Sequence, residues 1–326
     1  MMNINGKKEF LFFSIMIFIT LFLAACGNNN NASDPESTDD AVNTEKTGKT
    51  EVTLDSEKGE VTIPLGAKRI IAPFHEDALL ALGITPVAKW AIGESLQFHL
   101  EDKLQDVPKL EWTLPLEQVL SHEPDLIILE NNMENYEGTY EDYNKIAPTY
   151  VMTEKTTGDW RKQIEVFGQL LGMEEEAKQA LTGYDDLVAS AGKQLEEVIG
   201  DETVAAIWVI GGKFFVFEKD RHSADALYSE VGLHYPSFIE SLGKATPEWN
   251  PISLEKLSEL DADHVFLLAA EGEEGIETLE NSEVWQSISA AQNNQVYILE
   301  DASSWTNKGL TASKKTIDAV LDTLVK

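Results

Sequence analysis

The chain has 326 residues, enough for two domains of ordinary size. Its 57 acidic residues outnumber its 25 basic residues, which gives a formal net charge of −32 at pH 7. This charge argues against binding to nucleic acid, whose phosphates require lysine and arginine, and against tight adsorption on anionic lipid. We interpret it as a solubility feature of an extracytoplasmic surface rather than as a sign that the ligand is a cation.

The N-terminus has the pattern of a targeting segment. Lys7 and Lys8 precede an apolar run from Leu11 to Leu23, which is too short to span a membrane comfortably. The run ends in Leu23-Ala24-Ala25-Cys26-Gly27, which resembles the lipobox of bacterial lipoproteins. The resemblance implies that residues 1–25 are a signal peptide and that Cys26 carries lipid. Cys26 is the only cysteine, so no disulfide forms within the chain.

Residues 26–52 are rich in Asn, Asp, Ser, Thr and Glu, a composition that predicts a disordered tether. From 53 to 159 the pattern predicts a first α/β lobe. Lys68–Pro73 is expected to form a buried strand, and Asp77 to cap the helix that runs to Leu82. The other elements predicted here are a strand at Pro86–Trp90, a helix at Leu116–Leu120 and a strand at Asp125–Leu129.

Residues 160–199 are predicted to be connecting helices. A helical stripe of Trp160, Ile164, Phe167 and Leu171 ends at Gly172. From Glu174 to Ile199 the apolar positions recur every three or four residues, which predicts one helix of roughly 39 Å. A helix of this length in mid-chain indicates a rigid connection between two halves.

Residues 200–326 are predicted to form a second α/β lobe. Its first two strands, Thr203–Ile210 and Lys213–Phe217, form a hairpin around Gly211-Gly212. Further strands are expected at Val265–Leu268 and Val296–Leu299, and a closing amphipathic helix at Leu310–Val325. The fold class predicted for the whole chain is therefore α/β, with two Rossmann-like lobes of mainly parallel sheets joined by one long helix.

The two halves contain similar sequences. Leu116-Glu117 and Asp125 in the first half match Leu254-Glu255 and Asp263 in the second half at a constant offset. A second pair of similar stretches is 78–84 and 226–233, where the later copy has one extra residue. Both similarities are expected if the lobes share a topology.

The sequence contains no enzyme motif among those we searched: no phosphate-binding glycine loop, no Gly-x-Ser-x-Gly and no His-Glu-x-x-His. None of the six histidines lies at metal-ligand spacing from another. We therefore predict neither an enzyme nor a protein-held metal.

The loops after the predicted strands hold aromatic and isolated polar residues, which suit a cleft for a partly apolar ligand. The candidates are Phe74, His75, Trp90, Asn131, Tyr136 and Tyr140 in the first lobe, and Trp208, Arg221, His222, Trp249, Trp305 and Lys308 in the second. Trp208 lies within a predicted strand and also suits the core. Trp112, Trp160 and Trp285 are predicted to be packed surface aromatics.

Several stretches of the chain, taken together and in order, resemble the sequences of one protein family. They are KRIIAPFHEDALLALGITP (68–86), PLEQVLSHEPDLIILE (115–130), YNKIAPTY (143–150), FGQLLGMEEEAKQALTGYDDL (167–187), ISLEKLSELDADHVFLL (252–268) and NNQVYILEDASSW (293–305). Together they resemble the siderophore-binding lipoproteins of ABC importers. The resemblance implies two lobes bridged by one long helix (the class III periplasmic-binding-protein type), with little opening and closing. It also implies a ferric siderophore as ligand, or cobalamin or haem as in relatives.

The resemblance implies partners and a location as well. Glu117 and Glu255 match the glutamates that pair with arginines of the membrane permease in this family. We expect a monomer on the cell surface, anchored through Cys26. The long polar tether of the chain favours a host whose envelope has one membrane.

The number of arginines bears on the choice of ligand. Anionic chelates such as tris-catecholates and citrate complexes are held by several cations. This chain has only Arg69, Arg161 and Arg221, and Arg221 alone is placed in a candidate loop. We therefore favour a neutral or weakly charged ferric hydroxamate whose iron is bound only through the siderophore, with no intrinsic cofactor. A haem, cobalamin, carboxylate or catecholate binder, a metal-dependent hydrolase on a two-lobe fold and a structural wall protein remain alternatives.

Overall fold

The computed structural model describes residues 50–325, which belong to one compact unit, Gly48–Lys326. The predicted signal peptide, Cys26 and the tether up to residue 49 lie outside the described residues. The end of the predicted tether is wrong by two residues, because the first strand begins at Glu51. Within 50–325, no helix is long and apolar enough to cross a membrane.

Eleven strands occur in the described residues, and five of them lie where the sequence predicted strands with similar limits. The strands are β1 (Glu51–Ser56), β2 (Gly59–Pro64), β3 (Ile70–Ile71), β4 (Lys89–Ala91), β5 (Lys109–Glu111), β6 (Leu126–Leu129), β7 (Thr149–Val151), β8 (Val204–Ile210), β9 (Lys213–Val216), β10 (His264–Leu268) and β11 (Val296–Leu299).

The α-helices of the same residues include the predicted long helix with its predicted limits. They are α1 (Glu76–Ala81), α2 (Glu101–Leu104), α3 (Leu116–Ser121), α4 (Tyr140–Ile146), α5 (Glu154–Thr157), α6 (Trp160–Leu171), α7 (Glu174–Ile199), α8 (Ser223–Asp225), α9 (Ser237–Leu242), α10 (Leu254–Leu257), α11 (Glu274–Glu280), α12 (Glu283–Gln286), α13 (Ser289–Gln292) and α14 (Leu310–Leu324). A 3-10 turn spans Phe98–Leu100 and a π-helix spans Ala226–Val231.

The first lobe is built on the parallel sheet β3-β6-β7, and β4 and β5 form a second parallel pair. Alternate residues of β6 enter separate cores: Leu126 and Ile128 pack on one face, and Ile127 and Leu129 on the other. This is why the strand is a continuous apolar run, since helices cover both faces of such a sheet. The antiparallel hairpin β1–β2 was missed, although Val52, Leu54, Val61 and Ile63 alternate with polar residues.

The second lobe is built on a four-stranded sheet in the order β11-β10-β8-β9. The strands β11, β10 and β8 are parallel, and β9 returns antiparallel to β8 around the predicted Gly211-Gly212 turn. Both residues of that turn have positive φ, which glycine adopts without strain. The mainly parallel α/β architecture predicted from the sequence is confirmed.

The helix α14 joins the second lobe to the first, and a carboxylate fixes its start. Asp77 of α1 accepts hydrogen bonds from the backbone N–H of Thr311 (3.0 Å to Oδ2) and of Ala312 (3.3 Å). The prediction that Asp77 caps its own helix is therefore wrong, since it caps a helix of the other lobe. A Cβ at Gly309 would lie 2.1 Å from Asp77 Oδ2, so only glycine allows this approach.

The repeated aspartates have the same task in both lobes. Asp125 accepts hydrogen bonds from the N–H groups of Lys68 and Arg69, which lead into β3. Asp263 accepts from the N–H and hydroxyl of Thr203, which leads into β8. Each aspartate thus ties the start of its own strand to the start of the neighbouring strand, which explains why the sequence repeats it.

The extra residue in the second copy of the other repeat also has a structural place. The first copy is wound as the helix α1, whereas the corresponding part of the second copy is the π-helix Ala226–Val231. The hydrogen bond of a π-turn spans one more residue than that of an α-turn, which accommodates the extra residue.

We expect Asp125→Ala and Asp263→Ala each to lower the free energy of unfolding by about 1–2 kcal/mol, because each leaves strand-initiating N–H groups without their carboxylate acceptor. Urea unfolding followed by circular dichroism measures this. Asp106→Ala is the matched control, since among the described contacts this exposed turn residue makes no side-chain hydrogen bond. Equal stability of all three variants would contradict the assigned role.

Candidate ligand-binding cleft

The two lobes meet around two adjoining cavities of about 150 and 290 Å³. Trp160, His222 and Lys308 line both of them. The smaller cavity is also lined by Phe74 and His75, in the loop between β3 and α1, and so residues of both lobes surround it. Ligands of parallel α/β sheets bind beyond the carboxyl ends of the strands, and this is where these residues lie.

Two histidines face the smaller cavity from opposite lobes. His75 lies 3.2 Å, measured from Nδ1, from Gln163 Oε1, and the Gln163 amide group donates to Thr157 O. Because the amide oxygen can only accept, Nδ1 of His75 carries the proton and the buried Nε2 is an acceptor without a partner among the described residues. His222 stacks on Trp249 at 5.6 Å, and its buried Nδ1 also lacks a partner in residues 50–325.

Both histidines are neutral at ordinary pH. Burial lowers the pKa of His75 to about 4. Burial, followed by the nearby charges of Lys308 and Arg221, lowers the pKa of His222 to about 4. The cavity therefore presents two uncharged imidazoles, each with a ring nitrogen available to a ligand.

The first-lobe wall of the cleft depends on Glu76, which the sequence analysis missed. Its buried carboxylate accepts hydrogen bonds from the backbone N–H of Trp90 (2.6 Å) and from Gln97 Nε2 (2.6 Å). This holds β4 against α1, and the Trp90 ring packs edge-on against Phe74 at 5.3 Å. Phe74 has positive φ and is 45% exposed, which is unusual for a phenylalanine and typical of a functional position.

The loop after β6 completes this wall. The Tyr136 hydroxyl donates to Glu130 Oε1 (3.2 Å), and the half-buried Asn131 follows Glu130 at the end of the strand. Tyr136 and Tyr140 pack against the core that includes Tyr143. Neither these residues nor Trp90 line the two cavities. They lie behind the lining residues and support the first-lobe wall.

The arginine of the cleft is Arg161 rather than Arg221. Arg161 lines the larger cavity, contacts the adjoining rings of Trp160 and Tyr184, and pairs with Asp185 and Glu230. Trp160, predicted to be a packed surface aromatic, lines both cavities as well. Sequence spacing placed both residues at a helix start and gave no sign that this helix borders the cleft.

The contacts of Arg221 give it a structural role. Its side chain is 3% exposed, forms an ion pair with Glu218 and donates to the carbonyl oxygens of Thr246 and Glu248. Its guanidinium also lies 4.2 Å from the centre of the Trp249 ring. It lines neither cavity, so the expectation that it faces the cleft is wrong.

The three second-lobe tryptophans differ in position. Trp305 lies in the predicted loop, but it is 1% exposed and packs on Phe217 and Phe266, so the expectation that its ring contacts the ligand is wrong. Trp208 and Trp249 are half-buried, pack on each other at 5.3 Å and lie behind His222. Trp249 thus supports a cavity-lining ring instead of lining the cavity itself.

The two repeated glutamates are exposed, each in the first turn of a short helix. Glu117 lies on α3 and Glu255 on α10. Hydrogen bonds from its own N–H and from the Ser253 hydroxyl lower the pKa of Glu255. Both side chains are exposed to solvent and available to a cationic partner.

No group of three His, Cys, Asp or Glu side chains among residues 50–325 is arranged to hold a metal ion. The cleft offers aromatic surface, hydrogen-bonding groups and a few charges. These can hold a ligand between the lobes.

This arrangement defines a solute-binding protein with two α/β lobes joined by one long helix. The chain belongs to the periplasmic binding protein family, whose profile matches residues 72–302. It is similar to the iron(3+)-hydroxamate-binding protein YxeB of Bacillus subtilis, with 29% identity over 98% of each chain. It is also similar to the iron(3+)-hydroxamate-binding protein FhuD of B. subtilis, with 27% identity over 92% of each chain.

A solved structure supports the same fold. The crystal structure of a FhuD fold-family protein of B. subtilis, a component of a ferrichrome ABC transporter, superposes with a TM-score of 0.68 at 23% identity. The match covers 84% of this chain and 100% of the other.

We expect Arg221→Ala to lower the free energy of unfolding by about 3 kcal/mol, because it leaves the half-buried Glu218 carboxylate and two carbonyl groups without their donor. Chemical denaturation of the purified variant measures this. Lys219→Ala is the matched control, since its pair with Glu240 is exposed to solvent and should change stability little. An Arg221→Ala protein as stable as the unchanged one would contradict the structural role of this arginine.

Proposed function

We propose that this protein captures a ferric siderophore, preferably of the hydroxamate type, in the cleft between its lobes and delivers it to an ABC permease for iron uptake. The observation that carries the proposal is the pair of adjoining cavities lined from both lobes by aromatic rings, two neutral imidazoles and Lys308. The two relatives named as hydroxamate-binding proteins match nearly the whole chain and support the same ligand class.

In this proposal the siderophore itself coordinates the iron, which is the cargo, and the protein contributes no metal ligand and no cofactor. Phe74, Trp160 and the wall held by Trp90 cover the organic part of the chelate. His75, His222 and Lys308 supply hydrogen bonds to its polar atoms. In this proposal the protein binds and delivers its ligand without catalysis, as the solute-binding proteins of its family do.

The charges favour a hydroxamate over a catecholate or citrate complex. The cleft has two basic side chains, Lys308 and Arg161, and Arg161 is already paired with Asp185 and Glu230. A multiply anionic chelate would lose its hydration without gaining enough cationic partners. A hydroxamate chelate has little or no such charge to compensate.

Glu117 and Glu255 are the proposed docking residues for the permease. They are exposed, they occupy equivalent positions in the two lobes, and each lies on a helix held by a buried neighbour, Val119 or Leu257. Rim charges of this kind orient partners more than they add affinity. We further propose that the chain works as a monomer at the cell surface, anchored by lipid on Cys26.

The ligand proposal is tested by titrating the chain from Gly27 onward and following tryptophan fluorescence. A ferric hydroxamate, a ferric catecholate, ferric citrate, haem and cobalamin are the ligands. We expect saturable quenching by the hydroxamate, a smaller amplitude in Trp160→Phe, and an unchanged amplitude in Trp285→Phe, whose ring is buried away from both cavities. Preferential quenching by another ligand would make that ligand the proposed one instead of the hydroxamate. The absence of quenching by all five ligands would contradict the proposal of siderophore binding.

The docking proposal is tested by iron uptake in cells that carry the Glu117→Ala/Glu255→Ala double variant. We expect uptake to fall at least about tenfold while siderophore affinity stays unchanged, because the charges that orient the protein on its partner are lost. The control is a double variant of two exposed glutamates elsewhere, Glu60→Ala/Glu280→Ala. Uptake equal to that of the unchanged protein would exclude these residues as the docking pair.

A further inference from the structure

An open groove of about 480 Å³ lies at the junction of the two lobes, outside the two cavities of the cleft. Its walls come from α1 and α2 of the first lobe, from the connecting helix α7 and from α14 of the second lobe. The volume falls within the range of small-molecule sites, about 300–1,000 Å³. The proposed siderophore cleft does not use this groove.

The groove differs in charge from the cavities of the cleft. Its lining includes three lysines, Lys103, Lys314 and Lys315, against two carboxylates, Asp102 and Asp318, so its side chains carry a net positive charge. The two cleft cavities together have four carboxylates against two basic side chains. In a chain with 57 acidic and 25 basic residues, a local excess of lysine indicates a place where an anion is favoured.

Two of the three lysines are available to an anion. Lys315 donates from Nζ to His99 O (2.6 Å) and to Asp102 Oδ1 (3.1 Å), which ties α14 to the first lobe. Lys103 and Lys314 are exposed and form no ion pair within residues 50–325. They belong to opposite lobes, so an anion that contacts both of them bridges the junction.

The remaining surface of the groove is largely apolar. Leu80 and Ala81 line it from α1, Ala180 from α7 and Leu310 from α14, and all four are half-buried. A small inorganic anion would contact the lysines and leave this surface exposed to water. A ligand that has an apolar part beside its negative group covers both kinds of surface.

A glycine of α7 keeps the groove open. Gly183 lines it, and a Cβ at this position would meet no atom within 4 Å. By contrast, a Cβ at Gly168 would lie 2.8 Å from Ala177 Cβ, and one at Gly192 would lie 2.8 Å from Val231 O, so packing explains these two. Glycine inside a helix is destabilising relative to alanine. Close approach of a ligand gives position 183 the reason that packing does not.

The groove is separated from the cleft by a thin wall. Leu310 lines the groove on one side and the smaller cavity on the other. On α14, Ser313 faces the larger cavity and Lys314 faces the groove. Tyr184 lines the groove, and its ring packs edge-on at 5.0 Å against Trp160, which lines both cavities. The groove is thus a distinct place behind the cleft and not an extension of it.

We propose that this groove is a second binding site, for a small carboxylate with a short apolar body, such as a medium-chain fatty acid. The carboxylate lies between Lys103 and Lys314, and the apolar body lies over Gly183 against Leu80 and Ala180. The occupant holds the two lobes together from behind the cleft. This site goes beyond the proposed function and does not depend on which ligand the cleft binds.

The site is tested by isothermal titration calorimetry of the chain from Gly27 onward. The probes are octanoate, its uncharged isostere octanamide, and inorganic phosphate. We expect octanoate to bind at one saturable site with a dissociation constant below about 1 mM. Octanamide lacks the charge and phosphate lacks the apolar body, so both should bind at least about fivefold more weakly. Added salt should weaken octanoate binding.

Variants assign the binding to the groove. The double variant Lys103→Ala/Lys314→Ala should weaken octanoate binding about tenfold, because two ion pairs are lost. Gly183→Leu should block the site by filling it. Lys193→Ala is the matched control, since this exposed lysine lies further along α7, outside the groove. Circular dichroism verifies folding, and should Gly183→Leu fail to fold, the lysine variant decides.

Each outcome supports or overturns one part of the inference. Absence of saturable octanoate binding, or equal affinity in the lysine double variant, would overturn the site. Equal binding of octanamide would overturn the assignment of a carboxylate, and equal binding of phosphate would overturn the role of the apolar surface. Titration of the same variants with the ferric hydroxamate keeps the two proposals apart, because its affinity should stay unchanged when octanoate binding is lost.

Discussion

The cleft exists because two helices hold the lobes in one arrangement. The helix α7 connects them covalently, and α14 returns from the second lobe to pack on α7 and α1, where Asp77 accepts the N–H groups of its first turn. A carboxylate at this point accepts hydrogen bonds from backbone N–H groups that would otherwise lack a partner. Its negative charge also interacts favourably with the dipole of α14. The side chains beside it, His75 on one lobe and Lys308 on the other, are thereby set on either side of the smaller cavity.

Two residues next to the contact between Asp77 and α14 have unusual backbone conformations. The chain passes Phe74 with positive φ immediately before α1, and Gly309 in a conformation open to glycine immediately before α14. Both unusual backbone positions flank the Asp77 contact, and both belong to residues that line the cavity. Local strain of this kind persists only where the surroundings fix it, as at ligand sites.

Burial decides the electrostatics of the cleft more than the number of charges does. Arg221 is neutralised by Glu218 and Arg161 by two carboxylates, whereas the histidines lose their charge through desolvation. The two cavities thus present uncharged imidazoles, and Arg161, one of their two basic lining side chains, is already paired with carboxylates. This combination supports the proposal of a weakly charged chelate rather than a polyanion.

The sequence by itself determined the architecture. The period of Glu174–Ile199 located the long helix, and the apolar runs located the main strands, because both signals are local. The repeat located Glu117, Glu255 and the paired aspartates. Only the tertiary structure decided which side chains reach the cleft. Trp160 and Arg161 begin a helix that borders the cleft. Arg221 and Trp305 lie in loops near it, but their side chains point into the second lobe. Side-chain direction in these loops depends on the partners available, which are Glu218 for Arg221 and Phe217 and Phe266 for Trp305.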